Sequence, residues 1–308
     1  MSSAERVGRA GHGQLIATPL TLALLGAEVG HLGVPLHRRF TLGTMRLELI
    51  GSGHGPGAAA LHVDNAGHSV LYAGAIRSDA AEAAEVRACH AVVVAAPFGD
   101  DRHRFPKLAT VIAQVIEWTR AQLAVDKRPV LLVDSALEGL EVVTSLATAG
   151  IAVAGARAIR EAARRAAEVV QEVALAGRAV GDPSATATGA PRGDARLGPV
   201  PAPGREPRAI VWLDSDRAGL ARSLADRAYT TALVSGRALD GAAGADAAFA
   251  WTSAAGRAEL LAWIETTSAR EVYVTGACAE TIAAALGSRA RVIGPPHQMA
   301  LFPREAAP

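Results

Sequence analysis

The chain between residues 53 and 79 carries the apolar and polar pattern of a β-hairpin. Leu61 and Val63 belong to one predicted strand, and residues 69–72 form the next. The turn is predicted over Asp64–Gly67, because Asn and Gly accept positive φ. Elsewhere in the first hundred residues we predict strands near 15–17, 40–50 and 92–94 and a helix through Leu25, opened by Thr18 as N-cap and Pro19.

From Phe105 onward the apolar pattern changes to helices that alternate with buried strands. This alternation predicts βαβ units and a parallel sheet, so we assign the chain to the α/β class. Residues 181–208 are rich in Pro, Gly, Ser and Ala and predict a flexible linker. The first of these predicted helices ends at about residue 123, and the others cover 136–148, 156–178, 216–227, 256–266 and 279–286. The predicted strands cover 130–133, 151–153, 209–213, 231–234, 247–251, 271–274 and 290–293.

Composition places this chain among globular proteins with a sizeable core. Of its 308 residues, 50% are apolar and 20% are charged. The net charge of +1 gives no general argument for nucleic acid or membrane binding. The apolar run at 15–26 is short and interrupted by Thr18 and Pro19, which excludes a membrane span there. Cys89 and Cys278 lack metal-ligand spacing, so we expect buried free thiols and a cytoplasmic location.

Four blocks of sequence, in this order, resemble motifs of one protein family. Gly53, His54 and Gly57 with the later run at 71–74 resemble a G-H-x-x-G segment and a strand that ends in Y-T-G-D. The other three blocks are 91–103, which is similar to E-x-T-Y-G-D-x-R-H; 129–133 with 139–142, similar to a strand and a G-x-x-Q-E helix; and 271–276, similar to a strand that ends in H-G.

The chain thereby resembles the metallo-β-lactamase/β-CASP family, in the branch of the bacterial ligase-associated DNA exonucleases, which are mRNA 3′-end processing factor-like. The resemblance implies a truncated metallo-β-lactamase-like αββα lobe formed by residues 1–103 and 236–308. It further implies a β-CASP-like α/β insertion at 104–235. Members of the family are metal-dependent nucleases that use zinc or manganese.

The resemblance also implies that almost every metal ligand of the family is missing. Only His54 is retained. A hydrolytic metal site needs several carboxylate or imidazole ligands to hold the ion and lower the pKa of its water. We therefore predict no cofactor and no catalytic residue. The family's other functional positions correspond to Ser2, Ala4, Arg6, Val7, Ala75, Ala95, Ala254 and Thr275.

Histidines could have rebuilt a metal site, and this possibility defines a competing prediction. Eight of the nine histidines precede residue 104, but their spacing matches no standard metal motif. We interpret them as surface or hydrogen-bonded side chains, and keep a metal-dependent hydrolase with a rebuilt site as the alternative. They are His12, His31, His37, His54, His62, His68, His90, His103 and His297.

Two acidic segments follow predicted strands and precede predicted helices. They are Asp134-Ser135 and Asp214-Ser215-Asp216. Such residues can line a cleft at the carboxyl ends of parallel strands. They can equally be helix caps, with Ser135 and either Ser215 or Asp216 in that role.

Two further segments are candidate binding elements. Arg157, Arg160, Arg164 and Arg165 lie on one predicted helix and could contact phosphates, or could be plain solvated surface. Gln298, Met299, Leu301 and Phe302 belong to the segment 298–302, which resembles the Q-L-x-L-F peptide that binds bacterial sliding clamps. The alternative for this segment is that Leu301 and Phe302 fold back onto their own domain.

Together these observations predict a catalytically inactive paralogue of a β-CASP nuclease. We expect it to act as a binding or scaffold subunit in DNA or RNA processing, with a sliding clamp, a DNA-repair protein or a nuclease as partner. Nucleic acid is a weaker candidate ligand, and no membrane partner is expected.

Overall fold

A computed structural model describes residues 13–26, 30–79, 83–179, 209–224 and 228–294. These residues form a mixed α/β structure with a seven-stranded sheet, a five-stranded sheet and a two-stranded ribbon, which confirms the predicted class. The strands are β1 (Ile16–Ala17), β2 (Leu32–Gly33), β3 (Arg39–Leu42), β4 (Met45–Gly51), β5 (Ala59–Asn65), β6 (His68–Gly74), β7 (Ala91–Ala95), β8 (Arg128–Val133), β9 (Val153–Gly155), β10 (Ala209–Leu213), β11 (Tyr229–Val234), β12 (Ala247–Phe249), β13 (Glu271–Thr275) and β14 (Ala290–Val292).

Seven α-helices are found among the described residues, together with three short 3-10 turns. The helices are α1 (Pro19–Leu25), α2 (Leu108–Ala124), α3 (Ala136–Thr148), α4 (Arg157–Ala179), α5 (Arg217–Ser223), α6 (Arg257–Thr266) and α7 (Ala279–Leu286). Among the described residues, no helix combines the length and the apolar character that crossing a membrane requires.

The seven-stranded sheet has the order β14-β13-β7-β6-β5-β4-β3. Its strands β3 to β6 are antiparallel, whereas β6, β7, β13 and β14 run parallel. In β6, Leu71 and Ala73 point into a core shared with α6 and α7, while Tyr72 on the opposite face is 57% exposed. The alternation predicted from the sequence therefore separates a helix-covered face from a solvated face.

The β5–β6 hairpin is tighter than the sequence predicted. Asn65 pairs with His68, so only Ala66 and Gly67 form the loop. Both loop residues have positive φ, 53° at Ala66 and 86° at Gly67, as two-residue hairpin turns require. The prediction that Asn65 would take a turn position was wrong, because Asn65 continues the strand and Ala66 accepts the left-handed conformation.

The five-stranded sheet is entirely parallel and has the order β12-β11-β8-β10-β9. Helices α2, α3 and α4 pack on one face through Val111, Leu146 and Ile159, and α5 packs on the other through Leu220. The predicted βαβ unit exists, but β10 lies between β8 and β9, so its two strands are not neighbours.

Several boundaries differ from the sequence predictions. Strand β9 begins two residues later than predicted, and α5 ends at Ser223 instead of 227. Strand β12, at 247–249, belongs to the five-stranded sheet although we had placed residues after 235 in the first lobe. The predicted linker 181–208 lies outside the described residues.

The N-terminal helix α1 begins as predicted. Thr18 Oγ1 accepts a hydrogen bond from the Thr21 N–H, Pro19 occupies the first helical position, and Gly26 ends the helix in the left-handed conformation. Leu20 and Leu24 pack against α4, which attaches this helix to the five-stranded sheet's outer layer.

Candidate functional site

The candidate site lies where the two larger sheets meet, at the carboxyl ends of β6, β7 and β13. Ala95 ends β7 and is paired with Thr275 at the end of β13, while Ala75 follows β6 directly. The structure therefore brings together three positions at which the family resemblance implies a functional side chain. None of these side chains carries a carboxylate or an imidazole.

His54 lies at this junction in the loop between β4 and β5. Its Nδ1 donates a hydrogen bond to the backbone oxygen of Ser253, at 2.8 Å. Because a carbonyl only accepts, the proton sits on Nδ1 and the lone pair on Nε2. Burial lowers the pKa of His54, the hydrogen bond to Ser253 opposes this, and the charge of Arg77 lowers the pKa further. The imidazole is thus neutral at pH 7.

Glycine at position 53 allows the His54 loop to lie against the irregular segment that follows β6. Gly53 has a φ of 69°, and a Cβ there would come within 2.0 Å of the Arg77 backbone oxygen. The G-H sequence therefore has a steric reason in this fold.

A buried ion pair occupies the centre of the junction. Arg77 donates to both carboxylate oxygens of Glu141, at 2.6 and 3.1 Å, and its side chain is only 5% exposed. It also donates to the backbone oxygens of Gly53, at 3.0 Å, and Thr252, at 3.1 Å. Glu141 belongs to α3, so the pair ties the five-stranded sheet to the seven-stranded sheet. Trp251 Nε1 donates to the same carboxylate at 3.3 Å.

Glu138 lies one turn before Glu141 in α3. Its carboxylate accepts hydrogen bonds from the Ser253 hydroxyl and from the Asp134 N–H, both at 3.2 Å. Burial, and secondarily the negative charge of Asp134, raise the pKa of Glu138 to about 7. A carboxyl group that titrates near neutral pH is thus placed beside the loop that holds His54.

The two predicted acidic segments meet at the carboxyl ends of β8 and β10. Arg237, which follows β11, binds the carboxylates of both Asp134 and Asp214, the latter at 2.8 Å. Ser135 caps α3 by accepting from the Glu138 N–H at 3.2 Å. Asp216 caps α5 by accepting from the Gly219 N–H at 3.1 Å. Asp134 and Asp214 therefore line the sheet edge, whereas Ser135 and Asp216 are the caps.

A second cluster lies beyond the ends of β7 and β13 and was missed by the sequence analysis. It contains Asp100, His103 and Cys278, whose potential ligand atoms all lie within 4.8 Å of one another. His103 and Cys278 are 175 residues apart, so spacing along the chain could not reveal the cluster. Both cysteines are buried and free, as predicted.

Only some of the arginines predicted to contact phosphates are free of partners among the described residues of the same helix. Arg164 pairs with Glu161 and Glu168 on the same helix, and Arg165 pairs with Glu161 and with the Leu24 backbone oxygen. Arg157 and Arg160 are exposed. The segment 298–302 and the positions Ser2, Ala4, Arg6 and Val7 lie outside the described residues.

Comparison with known proteins adds no family assignment. No protein-family model matches the sequence, and a search of curated proteins finds no significant match.

Proposed function

We propose that this chain is a non-catalytic paralogue of a metal-dependent β-CASP nuclease and acts as a binding or scaffold subunit in DNA or RNA processing. The observation that supports this proposal is the Arg77–Glu141 ion pair. It places a permanent cation beside His54, at the junction where the resemblance would put a metal centre.

The charges at the junction support this proposal over a nuclease centre of the family's kind. Arg77 donates to both oxygens of Glu141 and Trp251 donates to one of them, so three of the roughly four acceptor positions of this carboxylate are already used. The positive guanidinium also repels a divalent cation at His54. Among the family positions that the structure describes, His54 alone carries a metal-binding side chain, since Ala75, Ala95 and Thr275 stand at the neighbouring strand ends.

A metal-dependent hydrolase with a rebuilt site is the second candidate. One observation favours it: His54 donates Nδ1–H to a backbone carbonyl, as metal-binding histidines commonly do, and so presents Nε2 as a possible ligand. This candidate requires further ligands that replace the family's set.

Metal content and nuclease activity together distinguish the two candidates. We expect purified protein to show no divalent-metal-dependent cleavage of single- or double-stranded DNA or RNA, and His54→Ala to leave its metal content unchanged. The control is His68→Ala, which removes an exposed imidazole. Metal and nuclease activity that are both lost on His54→Ala, but not on His68→Ala, would establish the hydrolase instead.

Nucleic-acid binding is a weaker part of the proposal and is tested separately. Arg157 and Arg160 are the exposed members of the predicted set, so Arg157→Ala/Arg160→Ala should weaken any gel shift measured at low salt. Arg164→Ala is the matched control, because Arg164 is engaged by two glutamates. Absence of a shift at micromolar protein would leave only protein partners.

The predicted sliding-clamp contact rests on Gln298, Met299, Leu301 and Phe302. Single docking peptides commonly bind with micromolar Kd, about −8 kcal/mol. Leu301→Ala/Phe302→Ala should abolish calorimetric binding to a bacterial clamp and leave the Tm nearly unchanged. A Tm lowered by many degrees, with no clamp binding by the wild type, would show that the segment packs on its own domain.

A further inference from the structure

We propose that Asp100, His103 and Cys278 bind one zinc ion at the carboxyl ends of β7 and β13. This site differs from the His54 junction, and none of its three residues is among the ligand positions that the family resemblance implies. It is therefore independent of the proposed function.

The first argument is the geometry of the three donors. Their ligand atoms lie within 4.8 Å of one another, and Cys278 Sγ is 4.0 Å from His103 Nδ1. A tetrahedral zinc ion with Zn–S of about 2.3 Å and Zn–N of about 2.0 Å requires a sulfur–nitrogen separation of about 3.5 Å. The sulfur–nitrogen distance of 4.0 Å is thus about 0.5 Å longer than coordination requires, so these donors approach one another when the ion binds.

The second argument is that the backbone holds the donors together. A Cβ at Gly99 would lie 2.7 Å from the Cys278 Cβ, so a larger residue would push the two loops apart. On the other side of Cys278, Gly276 has a φ of 104° and lies against the Ala96 backbone. Cys278 N–H then donates to the Ala96 oxygen at 2.9 Å. Cys278 is thus fixed beside the 99–103 turn by two features. Strand β7 pairs with β13, and Gly99 and Gly276 let the two loops approach closely.

The third argument concerns the state of the donors. His103 is buried, and its ring packs edge-on against Phe98 and parallel to Phe105. Its Nδ1 accepts from the Gly99 and Asp100 N–H groups, at 3.1 and 3.2 Å, and therefore carries a lone pair and no proton. A zinc ion at Nδ1 would replace these two hydrogen bonds with one coordinate bond, so the Gly99 and Asp100 N–H groups must turn away from the ion when it binds. The Cys278 thiol donates to the Pro97 oxygen over 3.8 Å, a weak contact that coordination would also replace.

The choice of zinc follows from the donor set. Sulfur, imidazole nitrogen and carboxylate oxygen are the three donors that zinc uses in proteins, whereas Mg²⁺ and Ca²⁺ prefer oxygen alone. A thiolate and a carboxylate also supply two negative charges for the ion, which competes for Asp100 with the Arg102 guanidinium at 3.6 Å. Thr281 Oγ1 donates to Asp100 at 3.2 Å and orients this carboxylate. Three protein ligands leave a fourth position for water.

The test is zinc binding by the full chain after chelator treatment and dialysis. We expect about one zinc per chain in wild-type protein reloaded with zinc, and thiolate-to-metal charge-transfer absorption when Co²⁺ is added instead. Cys278→Ser should abolish both signals, and Cys89→Ser, which removes the other buried free thiol, should leave both intact.

A second pair of variants protects the test against unfolding of Cys278→Ser. Asp100→Asn changes a partly exposed side chain and should weaken zinc binding without loss of fold, whereas the neighbouring Asp101→Asn should bind like the wild type. Wild-type protein that retains no zinc, or zinc that survives both Cys278→Ser and Asp100→Asn, would overturn the proposal. Zinc lost on His54→Ala but not on Cys278→Ser would overturn it in favour of the His54 junction.

Discussion

Replacing Glu141 by Gln is expected to destabilise the protein more than any surface charge change. Arg77 makes four hydrogen bonds, two of them to Glu141, and its side chain is almost completely buried. Glu141→Gln keeps the shape of the side chain and an acceptor for Trp251, but it leaves a buried guanidinium without its counter-charge. Removal of one partner from a buried ion pair costs about 3–5 kcal/mol.

This free energy corresponds to a measurable change in thermal stability. A chain of this size changes its Tm by about 2 °C for each kcal/mol, so we expect a decrease of about 6–10 °C. Urea unfolding with linear extrapolation measures the free energy of unfolding directly. The matched control is Glu168→Gln, which removes a carboxylate from the exposed pair with Arg164 and should give no measurable change.

A double replacement separates the lost charge partner from lost packing. Arg77→Met/Glu141→Leu removes both charges, so it should recover up to about 2 kcal/mol of the stability that Glu141→Gln loses. The recovery is incomplete, because the Gly53 and Thr252 oxygens and the Trp251 N–H lose their partners, at about 1 kcal/mol each. A Glu141→Gln effect below about 1 kcal/mol would refute the conclusion that this pair holds the two sheets together.

Two further variants test other parts of the site. The pKa of Glu138 is raised to about 7 in the folded state, so protonation of this carboxyl stabilises the fold. This stabilisation is fully present below the unfolded pKa and is lost as pH rises through 7. Glu138→Gln should therefore gain stability over the wild type between pH 5 and 8, by at most about 3 kcal/mol, and a pH-independent difference in urea unfolding would contradict this assignment. Gly99→Ala should cost about 1–3 kcal/mol, since the new methyl group would meet Cys278 and Ile282. Gly55→Ala, whose Cβ meets no atom within 4 Å, should stay within about 0.5 kcal/mol of the wild type by the same measurement.

Local pattern was sufficient to predict most elements, because each buries one apolar face. The helix 136–148 and the strand 209–213 have the predicted bounds, since a serine cap marks the first and a continuous apolar run marks the second in the sequence. Strand order was not predictable in this way. Strand β10 lies between β8 and β9 because of backbone pairing between segments that are distant in the chain, and no local pattern encodes that choice.

The same reason explains what the sequence analysis missed at the site. The motif around His54 identified one residue of the junction, but Arg77 and Glu141 were not recognised as partners. An arginine after a strand and a glutamate on an amphipathic helix are each typical of a solvated surface. Only the packing of the two sheets shows that these two side chains are buried against each other.

Along the chain, the whole five-stranded sheet is inserted between β7 and β13 of the seven-stranded sheet, and this has a consequence for the order of folding. Strands β7 and β13 pair directly, although the whole five-stranded sheet lies between them in the chain. Closing so long a disordered loop is entropically costly, and that cost falls once the intervening segment has become compact. We therefore expect the segment from β8 to β12 to gain protection first in pulse-labelled hydrogen exchange. The β7–β13 pairing, and with it the 99–103 turn beside Cys278, should be the last part of the chain to assemble.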